Sequence, residues 1–453
     1  MKADITKNTF NPAKHFSRVM MQQGRVQLDA DWNEQTSILL HYMQALAKDL
    51  IGEHAGPLDN AAFEITEVSE TDFSIGVGNY YVDGILCESE GKGEVNVDGN
   101  RELYKYTTQP NYQVKDQLTQ TENTYLVYLD VWERHLTYVE DDSIREVALL
   151  GADTATRAQI VWQVKVEYVA PEYVTSGGKK LGVLTDTELK NLNSININQN
   201  WLEWKKLWQP ETRGLLKAKA KQIDVQDEPC TVSPDSRYRG MENQLYRVEI
   251  HKGGKLSNTD KPTFKWSRDN GSVVSAAKLN GNELNLDNTQ GFTSGKWVEL
   301  TSDEQELRGE SGVLLNINKI DEGILYLDTA VIFPQLPIDE VWPTKARLWD
   351  SSEIEIAEGG GEDKWLILED GVQIQFQPPQ DQDNEYRVGD YWLIAARVAT
   401  GDIEWSTKDG KPLAITPHGV EHHYAPLAIV IKGTNPENDF DLRTLFKNIA
   451  SFK

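Results

Sequence analysis

Hydrophobic and polar positions change their spacing twice within the first fifty residues. After the polar, proline-containing lead-in Asn8 to Lys14, Val19-Met20-Met21 is apolar, Gly24 interrupts it, and Arg25 to Leu28 alternates like a short half-buried strand. Asp31, with Glu34 three residues later, is typical of a helix N-cap with its capping-box partner. The expected helix ends at Gly52 and carries one apolar stripe at helical spacing: Trp32, Leu39, Tyr42, Met43, Leu46 and Leu50. This pattern predicts an extended arm followed by an amphipathic helix, which together suit docking.

Beyond residue 56 the pattern is that of β-strands. Thr124 to Trp132 is apolar on both faces, which indicates a buried strand, and Ala158 to Val166 alternates between apolar and polar positions. From Tyr246 onward short strands with tryptophans alternate with turn signals such as Asn270-Gly271. We therefore predict a mainly β fold of sandwich-like or barrel-like domains, with the N-terminal arm and helix and a small helical insertion. The expected segments are the docking element 1–56, a β domain 57–170, the helical insertion and linker 171–240, a β domain 241–345 and a C-terminal β domain 346–453.

Composition excludes several classes of partner. The chain has 453 residues, a formal net charge of −25 and a pI near 4.8, which disfavours binding to nucleic acid or to anionic membranes. No run approaches the roughly 18 apolar residues of a spanning helix, so no membrane insertion is expected. The N-terminus lacks the apolar run of a secretory signal, which predicts assembly in the cytoplasm. Cys87 and Cys230 are the two cysteines, too few for a disulfide scaffold.

Three histidines near the C-terminus are the candidates for a metal site. His418, His422 and His423 lie in the stretch PHGVEHHY, next to Glu421. Neighbouring residues of a strand point to opposite faces, so His422 and His423 are poorly placed to share one ion. We favour hydrogen-bonded structural histidines, and we expect no metal and no cofactor.

Paired carboxylates and tryptophans leave a sugar-active protein as an alternative, because glycosidases use two carboxyl groups and aromatic rings stack on sugars. No carboxylate pair stands out by its context, since the chain has 71 acidic residues. Tryptophans in short alternating strands are more often core residues than binding platforms. We therefore predict no catalytic residues and no enzyme activity.

Several stretches carry a resemblance to a known family. They are FNPAKHFSRVMMQQGRVQLDADWNEQ at the N-terminus, YLVYLDVWERHLTYVEDDSIREVALLG, RYRGMENQLYRVEIH, TFKWSRDNGSVV, GDYWLIAARVATGDIEW and HHYAPLA. Together the chain resembles a family of proteins encoded with phage-tail-like contractile injection systems, beside sheath, tube, baseplate and spike proteins. The resemblance implies a non-enzymatic part of the particle, at the baseplate or in a cage or collar around the spike. It also implies a particle that is released by lysis or retained in the cell.

The residue pattern and the resemblance lead to one hypothesis about partners. The arm docks on a neighbouring copy of the chain in a symmetric, three- or sixfold ring, and the ring contacts baseplate, spike and sheath proteins. Aromatic residues, methionine and arginine anchor such interfaces. The predicted contact residues are Phe10, His15, Phe16, Arg18, Met20, Met21, Arg25, Leu28 and Trp32. The alternative is a glycan-binding or glycan-cleaving protein that the particle carries.

Overall fold

The fold is described from a computed structural model. It covers residues 1–93, 101–112, 114, 118, 124–168, 173–174, 180–181, 201–202, 204–206, 208–209, 213–220, 237–328, 342–378, 383–431 and 440–447. Within these ranges the chain is mainly β, as predicted, with one long helix and short helical turns.

The elements follow one another along the chain in this order. The first half contains α1 (Asp29–Ile51), β1 (His54–Pro57), β2 (Ile65–Thr66), β3 (Ser74–Ile75), β4 (Gly78–Val82), β5 (Ile85–Ser89), β6 (Tyr104–Lys105), β7 (Thr124–Leu136), β8 (Arg157–Tyr168), β9 (Tyr173–Val174), β10 (Lys180–Leu181), β11 (Leu215–Ala220), β12 (Gln244–Lys252), β13 (Gly254–Lys255), β14 (Thr263–Ser267), β15 (Val274–Asn280) and β16 (Glu283–Leu286). The second half contains β17 (Trp297–Thr301), a short helix (Asp303–Leu307), β18 (Val313–Asp321), β19 (Ile324–Leu327), β20 (Lys345–Trp349), β21 (Ile354–Glu355), β22 (Leu366–Ile367), β23 (Val372–Gln377), β24 (Glu385–Tyr386), β25 (Tyr391–Arg397), β26 (Asp402–Glu404), β27 (Thr407–Lys408), β28 (Lys411–Pro412), β29 (His423–Ile431), β30 (Phe440–Asp441) and β31 (Leu445–Phe446). Single 3₁₀ turns occur at Pro12–Lys14, Tyr106–Thr108, Asp142–Ile144, Val147–Leu149 and Glu362–Lys364.

The helix begins earlier than the sequence pattern predicts. Leu28, not Asp31, is the N-cap residue, and the Asp31 carboxylate accepts a hydrogen bond from the Leu28 backbone N–H at 3.3 Å. Asp31 therefore serves as the N3 partner of the cap, and Asp29 places a second negative charge in the first turn, where the helix dipole favours it. The strand expected at Arg25 to Leu28 is absent from this described segment, which lies alongside the helix as extended, unpaired backbone.

The strands form three cores, and chain segments far apart in sequence share two of them. The first core lies between the sheets β31-β1-β4-β5, β30-β29-β7-β8 and β2-β3-β6, so the C-terminal strands complete the sheets that the first half of the chain begins. The second core lies between β21-β14-β12-β25-β26 and β11-β23-β22. The third is the interior of a closed barrel, β15-β16-β19-β18-β17-β20.

This grouping differs from the five predicted segments. The predicted boundary at 345/346 falls inside the last barrel strand, and the barrel is an insertion between β14 and β21, which pair with each other. The predicted C-terminal domain 346–453 is divided, because β25 pairs with β12 and β29 pairs with β7. Local patterns report strands but not which strands pair, so these boundaries were not visible in the sequence.

Part of the predicted helical insertion packs on the first group of sheets. Trp201 and Trp204, in helical conformation, are buried against Tyr128 of β7 and Tyr424 of β29. Trp208 stacks on Tyr128 with ring centroids 4.1 Å apart. Other parts of the predicted segment 171–240 are strands and not helix: β9 pairs with β10, and β11 belongs to the second group of sheets. The rest of the predicted helices lies outside the described residues.

The dependence of the first core on the C-terminal strand β29 is testable. Leu427 is 1% exposed and packs in that core, so we expect Leu427→Ala to lower the free energy of unfolding by about 2–5 kcal/mol. Urea denaturation measures the change, and Leu413→Ala, at a position 38% exposed, is the control, expected to change stability by less than about 1 kcal/mol. Equal effects at the two positions would contradict the assignment of β29 to this core.

Candidate functional site

The outstanding surface feature is the outward face of α1. Only Ala30 and Ile38 of its 23 residues are buried. All six residues of the predicted stripe are exposed. Their exposed fractions are Trp32 66%, Leu39 54%, Tyr42 51%, Met43 67%, Leu46 61% and Leu50 77%. An amphipathic helix ordinarily turns such a stripe toward the core. Here the stripe faces away from the body.

Polar contacts hold the flanks and the far side of α1. The Thr6 backbone N–H donates to the Asp29 carboxylate at 2.8 Å, and the Val19 N–H donates to the Gln35 side-chain oxygen at 2.8 Å. Near the C-terminal end, Lys48 forms an ion pair with Asp83 at 2.6 Å. Gly84, with φ of +83°, brings the backbone so close to the Gln44 carbonyl that a Cβ there would lie 2.1 Å from its oxygen.

The arm also carries exposed apolar side chains. Phe10 is half-buried, with its ring 5.8 Å from that of His41, whereas the other eight predicted contact residues are exposed: His15, Phe16, Arg18, Met20, Met21, Arg25, Leu28 and Trp32. Among these, Phe16, Met20 and Met21 are 53, 72 and 49% exposed. We define Phe16, Met20, Met21, Val26 and Leu28 together with the α1 stripe as the N-terminal apolar surface. Its contact with a partner stays a prediction.

The first residues of the chain, in contrast, lie on the body. Asn270 donates from its amide nitrogen to the Ala3 carbonyl oxygen at 2.8 Å, and Lys2 pairs with Glu249 at 3.0 Å. Lys7 pairs with Glu404 at 3.1 Å. The arm is therefore anchored at its start, and the exposed part begins after Thr9.

The N-terminal segment contacts a group of buried charged residues. Lys265 donates to Glu299 at 2.6 Å and lies 3.5 Å from Glu249, which also accepts from Arg247 at 2.5 Å. Trp349 donates from its indole nitrogen to Glu299 at 2.9 Å. The four charged residues, but not Trp349, line a cavity of about 550 Å³ that also reaches Trp132, Tyr391 and His422. The network joins strands of the second group of sheets to two strands of the barrel.

Burial and charge act against each other in this network. Burial alone would raise the pKa of Glu299, but the attraction of Lys265 and Lys2 prevails and lowers it to about 2. Burial and the neighbouring Lys265 lower the pKa of His251 to about 4, so His251 is neutral at pH 7 and its Nδ1, 3.3 Å from Lys265, acts as acceptor. The network thus consists of paired charges.

The sequence matches the model of one protein family. A model of a family of unknown function, DUF6519, matches residues 1–171 and 210–437. The chain belongs to the DUF6519 family. The residues between the two matched parts fall within the predicted insertion 171–240. No curated protein and no solved structure matches the chain.

The three histidines of this DUF6519 chain are held apart. His422 and His423 contact different carboxylates, Asp130 at 2.7 Å and Asp83 at 3.0 Å. His418 exchanges two backbone hydrogen bonds with Tyr391, each 2.8 Å long. The structure therefore does not bring the three rings together around one position, and each has a hydrogen-bonding or backbone role.

One group of carboxylates has ligand-like spacing. Glu140, Asp303 and Glu306 each offer an oxygen within 4.8 Å of the others. The Lys345 ammonium, fully buried, lies among them, 3.1 Å from Asp303, 2.7 Å from Glu306 and also bonded to Glu140. A lysine therefore supplies the cation of this cluster. Local sequence patterns do not predict this cluster, because Glu140 and Lys345 are far apart along the chain.

The tryptophans in the second and third cores are structural. Trp349 and Trp392 are fully buried, and the Trp392 indole nitrogen donates to the Ile415 carbonyl oxygen at 2.9 Å. Neither ring has a free face for a sugar. Among the described residues no helix is both long and apolar enough to cross a membrane.

Removing the central cation of the buried network has a predicted cost. Lys265→Met leaves Glu249 and Glu299 without their shared partner, and we expect it to lower the free energy of unfolding by about 3–5 kcal/mol. Lys278→Met, at an exposed position of β15, is the matched control, with an expected effect within about 0.5 kcal/mol. Chemical denaturation at pH 7 checks both variants.

The pKa of Glu299 predicts how stability depends on pH. Because this pKa is about 2 in the folded chain, against an ordinary value of 4.5, the ion pair contributes fully above about pH 4.5. Its contribution falls as the pH drops from 4.5 toward 2, where the unfolded chain binds the additional proton. In urea denaturation across that window, Glu299→Gln should flatten the decline, whereas Glu70→Gln at an exposed site should leave it as in the unmodified chain. If stability declined equally with pH in all three proteins, Glu299 would not be a cause of the decline.

Proposed function

We propose that this DUF6519 chain is a non-enzymatic structural part of a phage-tail-like contractile injection particle, in the baseplate or in a cage or collar around the spike. It assembles there as a symmetric ring. The exposure of the N-terminal apolar surface carries the proposal, and the family resemblance of the quoted sequence stretches supplies the kind of particle.

The size and composition of that surface favour a macromolecular partner. Exposed apolar side chains scattered singly are ordinary, but a set of them along one face of a helix is typical of an interaction site. Its side chains are the aromatic and methionine types enriched at permanent interfaces, and Arg18 and Arg25 lie among them. The net charge of −25 disfavours an anionic membrane as the partner.

The way in which the arm is attached also supports a structural role. Residues 1–9 are fixed to the body by Lys2 and Lys7 and to α1 by Thr6. Further along the arm, the Val19 backbone N–H donates to Gln35 of α1. A surface that is ordered before the partner arrives loses less conformational entropy on binding than a free tail does.

The direct test is incorporation of an arm variant into particles. The triple substitution Phe16→Ser, Met20→Ser, Met21→Ser removes apolar contacts but keeps the anchored residues 1–9. We expect a folded protein with unchanged thermal stability and at least about tenfold less of it in purified particles, measured by quantitative immunoblotting.

A matched control is available elsewhere on the chain. Val147, Leu149 and Leu150 are 85, 60 and 99% exposed in a loop away from the arm, and their triple serine variant should enter particles normally. Normal incorporation of the arm variant would overturn the proposal. Substoichiometric incorporation together with hydrolysis of a polysaccharide by the purified chain would favour the glycan-active alternative.

A further inference from the structure

We infer that α1 forms a parallel three-helix coiled coil with the α1 helices of two further copies of this chain. The inference rests on the proposed function for its symmetry, and it names the partner of the N-terminal apolar surface. The observations that carry it are the spacing, exposure and charge of the α1 stripe.

The exposed residues repeat with the spacing of a coiled coil. From Trp32 the outward positions follow at steps of 4, 3, 4, 3 and 4: Trp32, Thr36, Leu39, Met43, Leu46 and Leu50. This is the alternation of d and a positions over nearly three heptads, in which only Thr36 is polar. We call these six residues the α1 seam. A repeat of 3.5 residues keeps one face turned toward another helix, and a second copy of the same helix carries the matching repeat by construction.

The seam is free to meet that partner. At about 100° per residue, Glu34, Ile38 and Lys48 lie on the far side of α1 from the seam, where the arm and Asp83 contact the helix. The five apolar seam side chains are between 54 and 77% exposed. Another α1 can therefore approach without displacing the Thr9–Glu34 and Lys48–Asp83 contacts, whereas the Val19–Gln35 hydrogen bond lies at the edge of the seam.

Charge along the helix also favours a second copy. Two chains of net charge −25 repel each other, so a self-contact requires a surface without acidic groups. Residues 35–47 include no Asp, Glu, Lys or Arg, which leaves more than three turns of α1 without a charged group. Like-charge repulsion is thus smallest where the heptad pattern is clearest.

The width of the apolar face favours three helices over two. Leu40 and Tyr42, 44 and 51% exposed, flank the seam on either side, and such flanking positions are covered more fully in a trimer than in a pair. The threefold symmetry of the proposed ring supplies the same number of copies.

The first test is the mass of the purified full chain by light scattering after size exclusion. We expect three times the 51.3 kDa of one chain, and a threefold drop to the monomer for Met43→Glu/Leu46→Glu. The control Leu149→Glu introduces a charge at a position 60% exposed, almost the same as the 61% of Leu46, but outside the seam. It should leave the trimer intact. Far-ultraviolet circular dichroism checks that all three proteins are folded.

A second test reads the orientation of the helices. Leu46→Cys in a Cys230→Ser background leaves buried Cys87 as the other thiol. Equivalent d positions meet only in parallel, in-register helices, so oxidation should link Leu46→Cys chains in pairs, whereas Leu149→Cys chains should stay unlinked. Absence of the Leu46→Cys cross-link would overturn the parallel arrangement.

The outcomes separate this inference from the proposed function. A monomeric chain, or a trimer that survives Met43→Glu/Leu46→Glu, overturns the coiled coil. If such a monomeric chain still needs its arm residues to enter particles, the proposed function stands with a different partner on α1. A trimer that dissociates as expected, in a chain whose arm variant enters particles normally, supports the coiled coil and counts against the proposed function.

Discussion

α1 is held mainly by polar contacts, with Ala30 and Ile38 as its only buried side chains, and this determines which surface the chain presents. Exposed hydrogen bonds and ion pairs such as Thr6–Asp29 and Lys48–Asp83 contribute about 1 kcal/mol or less each. Burying a single leucine or methionine is worth about 1.5–3 kcal/mol. The stripe would therefore turn inward if the body offered an apolar surface, but the body presents Asp83 and the backbone of Gly84 to the helix. The free energy of burying the stripe, which is larger than that of the polar contacts, is therefore gained only when a partner binds.

The buried charges determine where the first residues of the arm bind to the body. Lys265, Glu299, Glu249 and Arg247 neutralise one another between the second group of sheets and the barrel, and Lys2 completes the set from the N-terminal segment. Such a network contributes little net stability compared with apolar packing, but removing one member leaves an unpaired charge. The network therefore fixes the register of the first residues on the body. This anchor also limits where the exposed arm and α1 can lie relative to the body.

The sequence predicts the local elements well and their partners poorly. The β character, the helix and its stripe follow from spacing alone, because side-chain periodicity is a local property. The predicted start of α1 is three residues too late, because Asp31 fits a cap either as N-cap or as N3. The pairing of β29 with β7, and the insertion of the barrel between β14 and β21, depend on contacts between distant residues that no local pattern reports. The seam spacing of α1 is readable in the sequence, but only the structure shows that this face is turned to solvent. The position of Lys345 among three carboxylates is likewise visible only in the folded structure.

The most direct measurement is a cryo-electron microscopy map of an assembled particle that contains this chain. If the account is right, the N-terminal apolar surface is covered: Trp32, Met43 and Leu46 lie within about 4.5 Å of apolar side chains of another polypeptide. A map in which the chain is present and these residues face solvent would contradict it.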